Sequence, residues 1–395
     1  MGAPIRASID GAMVQHKRHN GGRGMSIQQQ IFSVRRAPWA ALALAWGLQS
    51  VGLAAEPPQY QFRVVGGLAG VSQYTQWEEP FWSRELPRMS GGRFKADIVP
   101  FDRAGVPRDD MLRLLQLGVV PFGTVLMGSM TANYPQYTAP DLAGLNPDSS
   151  SLKLSVAAFR PFLEKSLREQ HGVQLLALYV YPAQVVFCKK PFAALADLSG
   201  RRVRVSSAAQ ADFVGALGAT PVHTAFAQIV SSVQAGSIDC AITGTLSGNG
   251  LGLQAVTSHM HAMPLNWGVA LFAANLSAWE ALPADLRTLL RKELPLLEAA
   301  IWEESERDTA QGIACNTGQS ACTKGVKGNM VLVPMSAQDE RKRQDIFVST
   351  VLPRWLQRCG PRSTNHDVQH GAHHPRADQA RHLAAGRLVH GASGR

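Results

Sequence analysis

The 395-residue chain lacks the short motifs that mark common nucleotide and hydrolase sites. It contains no Gly-x-x-x-x-Gly-Lys-Ser/Thr phosphate-binding loop. Gly244-Thr-Leu-Ser-Gly248 places Ser247 fourth rather than third, which argues against a nucleophile elbow. The glycines of 66–70 follow a predicted strand, but their spacing is wrong for a dinucleotide fingerprint. We therefore predict no catalytic residues and no cofactor, and we expect that the protein is not an enzyme.

Histidine is scarce in residues 56–360, where only His171, His223, His259 and His261 occur. A zinc site needs three or four ligands that cluster in space. His259 and His261 have no third ligand near them in the sequence. An ordinary turn is expected there, and no metal site is predicted.

The apolar run from Ala37 to Leu53 is shorter than the roughly 20 residues that a membrane-spanning helix needs. It follows Arg35 and Arg36 and ends in small residues. This order of charge, apolar run and small residues is typical of a secretory signal. We assign residues 1–55 to targeting and predict a periplasmic protein; an uncleaved membrane anchor is the alternative.

Acidic residues are outnumbered, and the net charge of +10 is at first sight that of a nucleic-acid-binding protein. However, residues 1–36 and 360–395 together carry eight of those ten charges. Because the remainder has no basic cluster, no nucleic-acid partner is predicted. Residues 361–395 are rich in Arg, His, Ala and Gly without apolar periodicity, so we expect a disordered or aberrant tail.

Only five cysteines are present. Cys315 and Cys322 bracket a short, turn-rich loop, and closing it by a disulfide would contribute roughly 2.5 kcal/mol. Half of a zinc site is the alternative, but no second pair lies nearby in the sequence. Cys188 and Cys240 lie on predicted strands and either pair or stay buried and reduced, and Cys359 is left over.

Strand-like and helix-like segments alternate along the chain, which predicts an α/β fold with mostly parallel sheets. The predicted strands are Gln61–Gly66, Phe94–Val99, Val119–Leu126, Gln174–Val180, Gln184–Cys188, Arg202–Val205, Ile238–Ile242, Val269–Phe272 and Val331–Val333. The predicted helices include Tyr74–Met89, Asp109–Leu117, Leu152–His171 and Ala208–Leu217. The glycine-rich stretch Gly248–Gly252 is expected to be a flexible connection.

Leucines at helical spacing predict a long helix over residues 284–311, between Pro283 and Gly312. Pro295 lies inside this run. Because proline removes a helical hydrogen bond and clashes with the preceding turn, a kink or a break into two helices is expected there.

The most informative stretch runs from Asp197 to Asn249. It contains a turn ending at Gly200, the strand Arg202-Val-Arg204-Val, then Leu217-Gly-Ala-Thr-Pro221, and Gln234-Ala-Gly-Ser-Ile-Asp239 before another strand. Side chains alternate along a strand, so Arg202 and Arg204 share one face.

This ordered set resembles the solute-binding proteins of tripartite ATP-independent periplasmic (TRAP) transporters, of the type that binds dicarboxylates and other organic acids. The resemblance extends from about Phe62 to Gly360. It implies a two-lobed periplasmic binding protein fold over residues 56–360, with a long helix bridging the lobes. Lobe I would comprise about 60–182 and 264–283, lobe II about 183–263 and part of 312–340, and the bridging helix about 284–311.

The resemblance also implies binding residues. Arg204 matches the family arginine that clamps the ligand carboxylate, and a structural ion pair is the alternative role. Phe226 matches an aromatic that packs on the ligand, or is simply core. Thr243 and Gln184 lie at family contact positions, and Gln184 replaces a second arginine. Three further residues in plausible cleft-facing loops complete the expected set: Gln73, Tyr74 and Trp267.

The expected function is therefore capture of a small organic carboxylate and its delivery to the membrane subunits of a TRAP-type permease, by a monomer. A periplasmic α/β enzyme acting on a small carboxylic acid and a ligand-sensing module are the alternatives. Turnover of the bound acid would distinguish the enzyme from the binding protein.

The tail is expected to be dispensable. Truncation after Gly360 should leave the melting temperature and the affinity for ligand unchanged, because the removed segment has no periodic apolar face to bury. Thermal unfolding of the full-length and truncated proteins measures this, and a clear loss of stability would contradict it.

Overall fold

The computed structural model describes residues 59–360; the predicted targeting segment and tail lie outside this range. The described strands form two sheets. The first has the order β2-β1-β3-β10-β4, with β1 Tyr60–Gly66, β2 Phe94–Pro100, β3 Phe122–Leu126, β4 Val173–Val180 and β10 Val269–Asn275. The second has the order β11-β9-β5-β8-β6-β7, with β5 Gln184–Cys188, β6 Arg202–Val205, β7 Thr220–His223, β8 Cys240–Gly244, β9 His259–His261 and β11 Val331–Val333.

Helices cover the faces of these sheets. They are α1 Leu86–Met89, α2 Met111–Gln116, α3 Ser149–His171, α4 Ala208–Ala216, α5 Ile229–Gln234, α6 Thr245–Leu251, α7 Leu276–Glu280, α8 Ala284–Asn316, α9 Ala337–Ile346 and α10 Leu352–Arg358. Two π-helical segments, Gln73–Glu78 and Phe81–Glu85, precede α1. Among residues 59–360, no helix is both long and apolar enough to cross a membrane.

The α/β class is confirmed, but the sheets are mixed rather than mostly parallel. Strand β10 runs antiparallel to both neighbours in the first sheet, and β5 runs antiparallel to β8 and β9 in the second. Each of these strands directly follows a crossing of the chain from one sheet to the other, at 181–183 and at 262–268. After each crossing, the chain therefore enters the new sheet in the direction opposite to that of the neighbouring strands.

Two local predictions were wrong. The stretch Gly248–Gly252 is not a flexible connection, because its first four residues complete the buried helix α6. His259 and His261 do not lie in a turn but form β9, which pairs with β5 and β11.

The exact lobe boundaries stay a prediction. Residues 139–143 and helix α10 pack with the core of the second sheet.

Helix α8 is one continuous helix of 33 residues, so of the two outcomes expected at Pro295, a kink or a break into two helices, the break does not occur. Leu294 and Leu297, on either side of the proline, are both buried in the core of the first sheet, which holds the helix together there. The helix also continues past Gly312, where we expected it to end.

Helix α8 contacts both lobes. In the first lobe, the indole of Trp302 donates to the carbonyl of Leu178 at 2.7 Å, and Glu298 accepts from the Leu178 amide at 2.9 Å. Toward its end, Asn316 donates to the carbonyl of Thr245, the first residue of α6 in the second lobe, at 2.9 Å. The helix thus connects the two sheets independently of the strand crossings.

Two disulfides cross-link the part of the chain from residue 188 to residue 322. Cys315 pairs with Cys322, as predicted, across the loop that follows α8. Cys188 pairs with Cys240, and these residues lie directly opposite each other on β5 and β8. Both cysteines of the second pair are fully buried, so this cross-link lies inside the sheet core.

Helices α6 and α8 approach each other closely at Gly312. A Cβ atom at this position would lie 2.2 Å from the backbone nitrogen of Leu246, so no side chain fits without moving the backbone. Gly312→Ala should therefore destabilise the protein by about 3 kcal/mol, measured by chemical unfolding.

Gly215→Ala provides the matched control for this substitution. Gly215 also lies inside a helix, α4, but nothing lies within 4 Å of an added Cβ atom. The alanine should there be neutral or stabilising by up to about 1 kcal/mol. Equal effects of the two substitutions would contradict the close helix contact.

Candidate functional site

A cavity of about 600 Å³ lies between the two sheets. Residues from both lobes line it, and four of the seven predicted binding residues are among them: Gln184, Arg204, Phe226 and Thr243. They come from β5, from β6, from the turn before α5 and from β8. Gln184 begins β5 opposite Gly244, the last residue of β8, and β6 runs parallel to β8, so these side chains lie toward the same end of the strands in the second sheet.

The two arginines of β6 have different roles. Val203 and Val205 face the buried core of the second sheet, as the alternation predicts. Arg202, 44% exposed, makes a two-pronged ion pair with Asp239, at 3.0 and 2.8 Å. Arg204 is only 3% exposed and lies at the cavity.

The Arg204 guanidinium has no carboxylate partner among residues 59–360. Its Nε donates to the carbonyl of Thr224 at 3.0 Å and its Nη1 to that of Ile242 at 2.7 Å. Within the described chain, Nη2 has no hydrogen-bond acceptor. Burial, and secondarily the nearby Arg108, lower the pKa of Arg204 to about 10, so the group stays charged at neutral pH. A buried cation of this kind favours an anionic ligand.

Two hydroxyl groups line the same cavity as this cation. Thr243 and Ser247 are both buried and line the cavity, and neither side-chain oxygen has a hydrogen-bond partner in the described part of the chain. Gln184 accepts a hydrogen bond from Gln210 at 3.2 Å. Phe226 is half-buried and packs against the core clusters of both lobes. The arrangement offers one fixed positive charge, free hydroxyl groups and an aromatic face.

Gln73 and Trp267, together with Tyr74, do not line the cavity. The amide of Gln73 donates to the buried carboxyl of Glu78 at 2.6 Å. The indole of Trp267 donates to the carbonyl of Asn146 at 3.1 Å, and the ring packs in the core of the first lobe. Tyr74 is buried in the other core cluster of that lobe. Their polar atoms face the protein interior, so we leave them out of the proposed site.

Two further residues that line the cavity, Asp141 and Arg108, were not among the predicted binding residues. Asp141 is buried and accepts four hydrogen bonds of 2.9–3.2 Å, from the backbone amides of residues 267, 268 and 269 and from the side chain of Asn266. Burial raises its pKa to about 6, which the four donors partly offset. Arg108 reaches across to the carbonyl of Ser206 at 3.5 Å. No short sequence motif predicts either residue, because the position of each at the cavity depends on contacts with residues distant in the sequence.

A buried carboxyl lies behind the cavity wall. Glu78 is fully buried and accepts from the Gly67 amide at 2.9 Å, from Gln73 and from Thr124 at 3.0 Å. Burial raises its pKa from 4.5 to about 7, although the three donors act in the opposite direction. Between these two values the folded protein holds a proton that the unfolded chain has lost, so stability falls as pH rises.

Glu78→Gln should remove this pH dependence. The free energy of unfolding of the wild type should fall relative to the variant by up to about 3 kcal/mol between pH 4.5 and pH 7. Denaturant unfolding of both proteins across this range isolates Glu78, because other titrating groups cancel in the difference. Parallel curves would contradict the raised pKa.

Comparisons with known proteins agree with this fold. The fold is similar to an extracytoplasmic solute receptor of Bordetella pertussis that binds pyroglutamic acid, with a TM-score of 0.69 and 20% identity over 82% of this chain and 99% of that chain. It is also similar to a TRAP periplasmic solute-binding protein of Desulfovibrio salexigens with bound orotic acid, with a TM-score of 0.70 and 16% identity over 84% and 99% of the two chains. A third, from Rhodoferax ferrireducens with bound malonate, has a TM-score of 0.68 and 17% identity over 85% and 100%.

A family model described as bacterial extracellular solute-binding protein, family 7, matches residues 72–326, which is more than half of the chain. This match, together with the two sheets that enclose a cavity, confirms the predicted two-lobed fold, the solute-binding role and the export of the protein. The chain belongs to the bacterial extracellular solute-binding protein family 7.

Proposed function

We propose that the cavity captures a small organic acid in the periplasm and that the loaded protein delivers it to the membrane subunits of a TRAP-type permease. The observation that carries this proposal is Arg204, a buried cation that lines the cavity and has no carboxylate partner among residues 59–360. A ligand carboxylate would accept from Nη1 and Nη2 together, since the planar guanidinium fork matches the two carboxylate oxygens. Thr243 and Ser247 would donate to the oxygen positions that remain.

Similar proteins support an acidic ligand. The solved neighbours cited above carry pyroglutamic acid, orotic acid and malonate, each of which has a carboxylic acid group. At 16–20% identity these structures establish the fold, so the ligand of this chain is a proposal from the Arg204 geometry.

Capture proceeds by closure of the lobes around the ligand. The two strand crossings and α8 connect the sheets, and the cavity lies between them. A ligand that contacts both walls stabilises the closed form in proportion to its preference for that form. Delivery then requires only that the permease recognise the closed form.

The protein binds its ligand without chemical change in this proposal. The family is one of solute-binding receptors, and the residues proposed at the cavity form neither a nucleophile–base pair nor a cluster of three metal ligands within 59–360. Incubation of the purified protein with the bound acid should return the acid unchanged. Turnover would favour the rival function, a periplasmic enzyme.

Arg204→Ala should abolish tight binding. The substitution leaves the ligand carboxylate buried and unpaired, a loss of roughly 3–5 kcal/mol. Affinity should therefore fall at least about a hundredfold. Arg204→Lys should also bind poorly, because one ammonium group cannot reproduce the two-pronged geometry. Titration calorimetry measures both, with an acid found by thermal-shift screening, where ligand at about a hundred times its dissociation constant adds roughly 2.7 kcal/mol.

Arg202→Ala is the control for these variants. It lies on the same strand, but its charge is paired with Asp239 at the surface, so ligand affinity should stay near that of the wild type. The thermal unfolding of each unliganded variant separates lost binding from lost folding. Near-normal affinity in a folded Arg204→Ala protein would place the carboxylate elsewhere.

A further inference from the structure

The two walls of the cavity differ in polarity. The wall from the second lobe carries Arg204 and a series of uncharged polar side chains: Gln184, Ser206, Ser207, Thr224, Thr243 and Ser247. The wall from the first lobe carries five large apolar side chains: Leu68, Val71, Phe101, Val106 and Leu126. A bound molecule would therefore meet Arg204 and mostly uncharged polar groups, with Val205 and Phe226, on one side. On the other side it would meet mostly apolar side chains, with Asp102 and Arg108.

The charged groups on the apolar wall already have protein partners. Asp141 accepts four hydrogen bonds, which fill the four lone-pair positions of a carboxylate. Asp102 accepts from the amide of Ala69 at 3.0 Å. Arg108 pairs with Asp109 at 3.3 Å and donates to a backbone carbonyl of the opposite lobe. None of these groups resembles Arg204, which is deeply buried without a counter-ion within the described chain.

The size of the cavity also indicates a ligand with a body beyond its carboxylate. A volume of about 600 Å³ lies in the range of sites that enclose ligands considerably larger than a short acid. A carboxylate at Arg204 would occupy only a small part of it. The remaining space borders the apolar wall and the half-buried ring of Phe226.

We propose that the physiological ligand is an amphipathic monocarboxylate, with its single carboxylate at Arg204 and an apolar alkyl or aromatic body against the first lobe. This inference rests on the proposed function and narrows it, because a second anionic group would have to lie against the apolar wall. There it would lose its water without gaining an unpaired cation. An apolar body instead gains from burial in proportion to its area.

A matched series of acids tests this proposal on the wild-type protein by titration calorimetry. Each added methylene between butyrate and hexanoate should tighten binding about fourfold. Hexanoate should bind at least about ten times more tightly than adipate, which has the same number of carbons and a second carboxylate. Tighter binding of adipate, or no gain with chain length, would overturn the proposal while leaving acid capture at Arg204 intact. Failure of every acid to bind would defeat both.

A substitution on the apolar wall tests the position of the body. Val106→Thr keeps the side-chain volume but replaces a methyl group by a hydroxyl group at the apolar wall. Hexanoate should therefore bind about fivefold more weakly, and the affinity for butyrate should change less. Val119→Thr makes the same chemical change at a side chain that is 66% exposed and away from the cavity. Equal hexanoate affinity in the two variants, with unchanged melting temperatures, would place the body elsewhere and overturn the proposal.

Discussion

The carboxylate of Asp141 organises the cavity, because it fixes the chain where it crosses from the second sheet back to the first. Three consecutive backbone amides, of residues 267, 268 and 269, and the side chain of Asn266 all donate to it. This crossing segment, 262–268, also pairs with the first crossing, at 181–183. Gln184 forms a bridge with Asn266, and the Tyr181 amide donates to the Gly268 carbonyl. Removing one partner of such a buried charge leaves the others unpaired, which costs several kcal/mol. The position of both cavity walls therefore depends on this one carboxylate.

The same geometry explains why Arg204 stays available for a ligand. Asp141 lies at the same cavity and would otherwise be a natural counter-ion, but its lone pairs are all occupied by the crossing strand. Arg204 is held in turn by the carbonyls of Thr224 and Ile242, which orient the guanidinium without neutralising it. Within the described chain, Asp141, which holds the crossing strand, and Arg204, the cation that we propose to bind the ligand, thus do not pair with each other. The desolvation cost of Arg204 is present before binding, and an anionic ligand relieves it.

Features set by neighbours along the chain could be predicted from the sequence, whereas features set by distant contacts could not. The alternation along one strand placed Arg204 at the site and Val203 in the core, and a short loop gave the pairing of Cys315 with Cys322. In contrast, α6 is rich in glycine, which disfavours a helix, and it packs closely against Gly312 in α8, a contact that is distant in the sequence. Trp267 is turned inward by the carbonyl of Asn146, a distant partner that no local pattern encodes. Gln73 is turned inward by Glu78, only five residues away, but the burial of Glu78 depends on distant contacts such as Thr124.

The contacts that already join the lobes limit what the ligand has to supply. Arg108 of the first lobe donates to the carbonyl of Ser206 in the second, and the ring of Phe226 packs against the core clusters of both. These contacts bring the walls together without any bound acid, but they satisfy neither Arg204 nor the hydroxyl groups beside it. A ligand shifts the equilibrium between open and closed forms only by the difference in its affinity for them. Arg204 is on one wall and the apolar surface is on the other, so only a molecule that reaches both has the full difference in affinity between the closed and open forms. This is the physical basis for selecting an acid by its apolar body as well as by its charge.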